Sequence, residues 1–178
     1  MTLKDKLPDR LKRAPLLSME SDSDIETIAE AIVSLSNSDG EFWKKAEKLL
    51  LMATLGYLRD WCEPTQRTMG TLISLLDAAL PKDNETHTTL DNLFYEMKSG
   101  CKRVKSEDGI TTLWEPSALS RNDGLTPRET NGIDVSEDFS LTCYEGFRHA
   151  ATRETRTGIV TALLLVLEEA EKEDAYGK

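Results

Sequence analysis

The chain predicts an all-α fold: a compact multi-helix bundle with a long irregular insertion between its middle and final helices. Apolar residues recur at helical period through most of the chain. Proline and glycine clusters separate those runs and mark their ends. Between about residues 101 and 136 the period disappears, and Gly109, Pro116, Gly124, Pro127 and Gly132 break the chain up. A length of 178 residues with 39% hydrophobic content is enough to enclose a core.

Residues 1–22 read as a flexible basic N-terminal segment or a junction. Lys4, Lys6, Arg10, Lys12 and Arg13 cluster there, and Pro8 and Pro15 prevent a long helix. Leu3, Leu7, Leu11, Leu16 and Leu17 allow a short amphipathic turn. The domain itself is expected over residues 23–170. Its first helix spans about Asp24 to Leu35, started by the capping-box spacing of Ser23 and Glu26, with Ile25, Ile28, Ala29, Ile32 and Val33 inward.

Asn37-Ser38-Asp39-Gly40 is a turn. The helix after it, to Trp61, is the most apolar of the chain. Trp43, Ala46, Leu50, Ala53 and Tyr57 form one row and Phe42, Leu49, Met52 and Leu55 another, a stripe broad enough to bury most of the circumference. Ser38 and Glu41 have the spacing that would start it, and Pro64 ends it.

A third helix runs from about Gln66 to Leu80 with Met69, Leu72, Ile73, Leu76 and Ala79 inward. A fourth spans about Thr88 to Lys98 on Leu90, Leu93, Phe94 and Met97, with Gly100 past its end. After the insertion, Phe139, Leu141 or Thr142, Tyr144 and Phe147 allow a short helix. The last helix begins near Arg153 and uses Ile159, Val160, Leu163, Leu164 and Leu167. Its acidic end, residues 171–178, is expected to fray or to meet a basic partner, because carboxylates oppose the dipole at a helix C-terminus.

The formal net charge of -10 disfavours non-specific binding to a phosphate backbone through the whole surface. Two local basic clusters remain: Lys102, Arg103 and Lys105, and Arg148, Arg153 and Arg156. The commoner explanation of such runs is a solvated helix end or face. In the insertion, Leu113 and Trp114 either fold back over the core or anchor a partner.

Chemistry is sparse. Cys62, Cys101 and Cys143 are scattered and odd in number, which points to reduced thiols. His87 and His149 lack companion ligands at metal-site spacing, so no metal and no cofactor are expected. Cys143 and His149 stand on different sides of a helix, unsuited to a thiol–imidazole pair. No Gly-x-x-x-x-Gly-Lys-Ser/Thr loop is present. The longest apolar run, from Ile159 to Leu167, is too short for a membrane span, and the N-terminus lacks a signal-peptide pattern.

Phe42-Trp43-Lys44-Lys45-Ala46-Glu47-Lys48-Leu49-Leu50 resembles the Phe-Trp-x-Lys-Ala-Glu-x-x-Leu segment of the all-α domain in type IV secretion coupling proteins, the TraG-like conjugation ATPases of Gram-positive bacteria. Residues from Ser23 to Val33, from Thr71 to Ala79, from Leu90 to Phe94 and from Phe147 to Val160 resemble further pieces of that domain in the same order. The likeness covers about residues 23–165, with a poor match from about Gly100 to Ser136. It implies a non-catalytic substrate-recognition domain at the cytoplasmic mouth of a DNA-translocating ATPase. The implied partners are a relaxase or relaxosome accessory protein and the parent ATPase.

The family's ATP chemistry does not carry over, since the phosphate loop is missing. Family members are tethered by transmembrane helices; their absence here implies a fragment or a free-standing relative, with no membrane contact of its own. Trp114, Leu113, Lys102, Arg103, Arg148, Arg153 and Arg156 are the expected partner-binding residues. Direct DNA binding through the arginines is the alternative.

Overall fold

The computed structural model describes residues 2–82, 86–99, 101–105, 112–116 and 138–176, with side chains described for all of these except 101–105, 112–116 and 173–176. The N-terminal arm belongs to the core. A 3-10 turn at Lys4–Lys6 leads to helix α1 (Asp9–Lys12). Leu3, Leu7, Leu11, Leu16 and Met19 are all buried, Leu11 completely. The expected flexible segment is thus corrected to a packed arm. Leucines every fourth residue give it an apolar edge that outweighs the lysines and arginines beside them. Leu17 alone faces out, 55% exposed.

Helix α2 (Asp22–Val33) starts at Ser21, two residues before the expected Ser23. Ser21 Oγ accepts the Asp24 N–H at 3.3 Å, and Asp24 Oδ2 accepts the Ser21 N–H at 3.1 Å. An aspartate three residues on can close the same reciprocal box as a glutamate. Ile25, Ile28, Ala29, Ile32 and Val33 are buried as the spacing predicts.

Gly40, at φ 99°, precedes helix α3 (Glu41–Trp61). That backbone region excludes most side chains, so Gly40 and not Ser38 occupies the N-cap. Ser38 serves elsewhere: its hydroxyl and that of Ser36 both donate to Oε1 of Glu47. Glu47 has no exposed surface, and its Oε2 has no hydrogen-bond partner among the described residues.

Helix α3 forms the axis of the bundle. Ala46, Leu50, Leu51, Ala53, Leu55 and Leu58 are buried. Helix α2 runs antiparallel to it. Lys48 reaches Glu26 and Glu30 at 2.6 Å each, and Arg59 reaches Asp22 at 2.8 Å. These pairs are partly exposed and set register more than stability. Two expectations change at the head of α3: Phe42 is 47% exposed and Trp43 is only half-buried, lying over Gly158.

A 3-10 turn at Pro64–Gln66 separates α3 from α4 (Met69–Asp77). Helix α4 therefore starts later than Gln66, at an N-cap where Thr68 Oγ1 accepts the Thr71 N–H at 3.1 Å. Helix α5 (Thr89–Ser99) is joined to the end of α4 by the Leu90 N–H to the Ala78 carbonyl, 2.8 Å.

Within the irregular insertion two short strands, β1 (Cys101–Lys105) and β2 (Thr112–Pro116), pair antiparallel. Arg103 lies opposite Trp114 and Val104 opposite Leu113. The overlooked signal is Asp108-Gly109 between two runs with β-branched and aromatic residues, a hairpin pattern.

Helix α6 (Phe139–Ala150) begins at Asp138, whose Oδ1 accepts the Leu141 N–H at 3.0 Å. It runs antiparallel to α3, with Ser140 against Gly56 and Gly146 against Leu49. A Cβ on Gly56 would stand 2.9 Å from Ser140 Cβ, so the approach of these helices needs glycine there. Helix α7 (Arg153–Tyr176) packs on α4. Ile159, Val160, Leu163 and Leu167 are buried, with Leu164 half-buried. The helix continues past Ala170 to Tyr176, in place of the expected frayed acidic end. Glu168 and Lys172 stand four residues apart in the order that favours helix, which offsets part of the dipole penalty.

Candidate functional site

The polar groups with the most connections in the described structure converge on Asp91, near the start of α5. Thr88 and Asp91 close a capping box. Asp91 Oδ2 accepts the Thr88 N–H at 2.9 Å and its hydroxyl at 3.0 Å, while Thr88 Oγ1 accepts the Asp91 N–H at 3.0 Å. The helical spacing places Asp91 beside buried Leu90 and Phe94, so the carboxylate is carried inward and is only 6% exposed.

Its other oxygen, Oδ1, serves α6 and α7. Tyr144 donates its hydroxyl at 3.0 Å. Arg148 approaches through Nε at 3.1 Å, and an Arg156 terminal nitrogen lies at 3.8 Å. Tyr144 is held flat on Phe94, ring centroids 4.0 Å apart and 10° from parallel, so its hydroxyl is aimed by the aromatic stack.

Electrostatics follow from this geometry. Burial pushes the Asp91 carboxyl up, but the Thr88 N–H, Arg148, Tyr144 and the Thr88 hydroxyl together hold it below the usual value. Burial, with the Asp91 charge beside it, raises the Tyr144 phenol far above its ordinary range. At neutral pH the group is a carboxylate, a neutral phenol and two guanidinium ions.

Beside Asp91 a small pocket, partly open to solvent, lies between the α4–α5 connection, α6 and the first turns of α7. Pro81 and Phe147 supply apolar wall; Thr88, Asp91, Arg153 and Arg156 supply polar wall. Arg156 Nε is buried and has no hydrogen-bond partner among the described residues. The arrangement can bind a small anion through guanidinium donors.

Of the seven expected site residues, Arg148, Arg153 and Arg156 meet here. They come from the end of α6 and the start of α7, brought together by the tight Ala151-Thr152 connection. Lys102, Arg103, Leu113 and Trp114 have a backbone place in the hairpin, and their side chains lie outside the described residues. Sequence reasoning missed Thr88, Asp91 and Tyr144. Thr88 and Asp91 had a signal, a capping-box spacing at the head of an amphipathic helix; Tyr144 had none, because its partner is remote in sequence.

Of the two described thiols, burial raises Cys62 against the pull of Arg67. Burial, reinforced by Asp22, Asp138 and Glu26, pushes Cys143 up to about 11, so it stays protonated at neutral pH. Among the described residues no group of three potential ligands is placed to hold a metal ion, and no helix is long and apolar enough to cross a membrane.

Fold and site define a helical bundle with an arginine-lined pocket beside a buried carboxylate. Comparison with models of known families, with curated proteins and with solved structures finds no match to this chain.

Proposed function

We propose that this chain is a substrate-recognition domain of a conjugative type IV secretion coupling protein. It docks relaxase or relaxosome cargo at the cytoplasmic mouth of a DNA-translocating ATPase and performs no catalysis itself. The observation that carries this reading is the position of the Phe42–Leu50 segment at the head of the axial helix. Its Ala46 and Leu50 enter the core, its Glu47 ties down the Ser36–Ser38 turn, and its Trp43 packs on α7. The residues that carry the resemblance are thus structural joints of the bundle, as expected for a segment shared by domains of one architecture with different cargo.

The test is a pull-down of conjugative relaxases and relaxosome accessory proteins, with wild type and with residues 104–134 deleted. Capture by wild type supports the reading; failure to capture any relaxosome protein overturns it. Loss of capture in a deletion variant that keeps its helical circular dichroism assigns the contact to the insertion.

A second reading, direct DNA binding, draws on the gathering of Arg148, Arg153 and Arg156. Three phosphate contacts would give a log–log salt slope of about -2.7 on duplex DNA. Two of those arginines already face Asp91, which weakens their call on phosphate.

A further inference from the structure

We propose that Asp39 is a self-modification site: in the folded chain the Asp39–Gly40 link converts through a cyclic imide to an isoaspartyl linkage, which marks the turn between α2 and α3 with time. The inference does not rest on the recognition reading above, and neither falls with the other.

The chemistry needs a side-chain carboxyl free to turn on the next backbone nitrogen, a nitrogen free to attack, and no side chain shielding it. The sequence supplies the last, because Gly40 has no Cβ. Its φ of 99° also demands glycine, so the turn cannot take a shielding residue there without strain. The nearest heavy atom to where a Cβ on Gly40 would stand is Trp43 Cδ1, 4.0 Å away, so the neighbours leave that side open as well. The structure supplies the other two conditions. Asp39 and Gly40 are both exposed, and residues 37–39 have no regular structure. Among the described residues the Asp39 carboxylate has no hydrogen bond or ion pair, and the Gly40 N–H has no acceptor. Asp24 and Asp91 differ on every count: they are buried, and their oxygens are committed to caps and arginines.

The step balances with water alone. Gly40 N attacks Asp39 Cγ, the N–H proton and the carboxyl hydroxyl leave as one water, and a five-membered imide closes. Water then adds at one of its two carbonyls. Addition at Cγ breaks the new bond and restores aspartate. Addition at the backbone carbonyl breaks the old peptide bond, so the chain runs through Cβ and Cγ and the α-carboxylate becomes the side group.

The product matters because of Glu47. The isoaspartyl linkage adds one backbone methylene between Ser38 and Gly40. Ser36 and Ser38 donate to Oε1 of Glu47, which has no exposed surface and whose Oε2 has no partner among the described residues. Moving Ser38 withdraws a donor from a buried carboxylate that has none to spare. Gly40 also opens α3, its carbonyl accepting the Lys44 N–H at 3.3 Å. The conversion therefore loosens the head of the axial helix.

The test ages the full chain at body temperature and neutral pH, digests it, and reads the peptide that contains Asp39 by electron-transfer fragmentation, which tells isoaspartate from aspartate. Isoaspartate should accumulate at position 39, preceded by a species lighter by one water. Asp77, exposed but followed by Ala78, should stay unconverted over the same time. Peptides holding Asp108-Gly109 and Asp123-Gly124, which repeat the dipeptide, are separated by mass and scored on their own. D39E, at an exposed position, keeps the fold, cannot close the five-membered ring and should show no conversion. The urea midpoint of the wild-type chain should fall with age further than that of D39E aged alike. Conversion at Asp39 no faster than at Asp77, or conversion in the urea-unfolded chain and not in the folded one, overturns the site. Conversion with equal urea midpoints in wild type and D39E overturns its link to Glu47.

Discussion

Two buried aspartates, Asp24 and Asp91, do the same local work and end in different roles. Each is the third residue of its helix and closes a capping box with the hydroxyl residue before it. Each keeps Oδ2 for the cap and offers Oδ1 to arginine. Asp24 meets one arginine, Arg10, whose side chain is 59% exposed, so the pair is charge-balanced and open to water on the cationic side. Asp91 meets two arginines and a tyrosine, with a third arginine lining the same pocket. The first is a tether that pins the N-terminal arm to α2. The second is a hub that joins α5 to α6 and α7. Surroundings, and not the motif, separate a joint from a candidate site.

The largest expected effect tests the hub. D91A leaves a phenol and two guanidinium groups facing a buried gap and should cost about 3–5 kcal/mol in urea unfolding. A loss no greater than that of D24A would erase the distinction. L11A comes next. Leu11 has no exposed surface, and its truncation should cost about 3 kcal/mol, more than R10A does. If R10A cost more, the arm would be held by its ion pair and not by leucine burial.

D24A should cost about 1–2 kcal/mol, chiefly the cap, because the arginine it strands can turn to water. Protection of the arm in hydrogen exchange should fall while that of α5 stays unchanged. The smallest effect is on pH dependence. Asp24 is held well below the ordinary 3.8 by Arg10, against the upward push of burial and with help from the Glu20 and Ser21 N–H groups; Asp91 is also lowered. The unfolded chain therefore binds these protons more readily, so the stability from both groups is complete above about pH 5 and drains as the pH falls below about 4. Urea midpoints should fall more shallowly with acid in D24N and in D91N than in wild type; parallel curves would mean that neither carboxylate is stabilised by its partners.

Most helices were legible in the sequence, because their apolar faces repeat over several turns. The buried sets of α2 and α7 and the core row of α3 follow that period. Legibility failed at the ends. Ser21 took the cap assigned to Ser23, and Gly40 took that assigned to Ser38, since several hydroxyl residues in a row have nearly equal claims and only chain direction chooses among them. Trp43 and Phe42 were expected in the core because they fall on the two apolar rows of α3. They sit at the head of α3, where few neighbours surround the helix, and stay half-buried and exposed.

The amino-acid order by itself determined the class of fold and the axial helix, from apolar faces that repeat within a few residues, and it carries the spacing of the Thr88–Asp91 cap. It also placed Arg148, Arg153 and Arg156 close along the chain. Only the tertiary structure decided that the basic arm is core, that Asp24 is a tether, and that Tyr144, α7 and the α4–α5 connection make Asp91 a hub beside a pocket. Those outcomes depend on contacts between residues far apart in the chain, such as Tyr144 with Asp91, 53 positions away. No local periodicity encodes such pairs, because they are set by how helices cross and which charges are then shut away from water together.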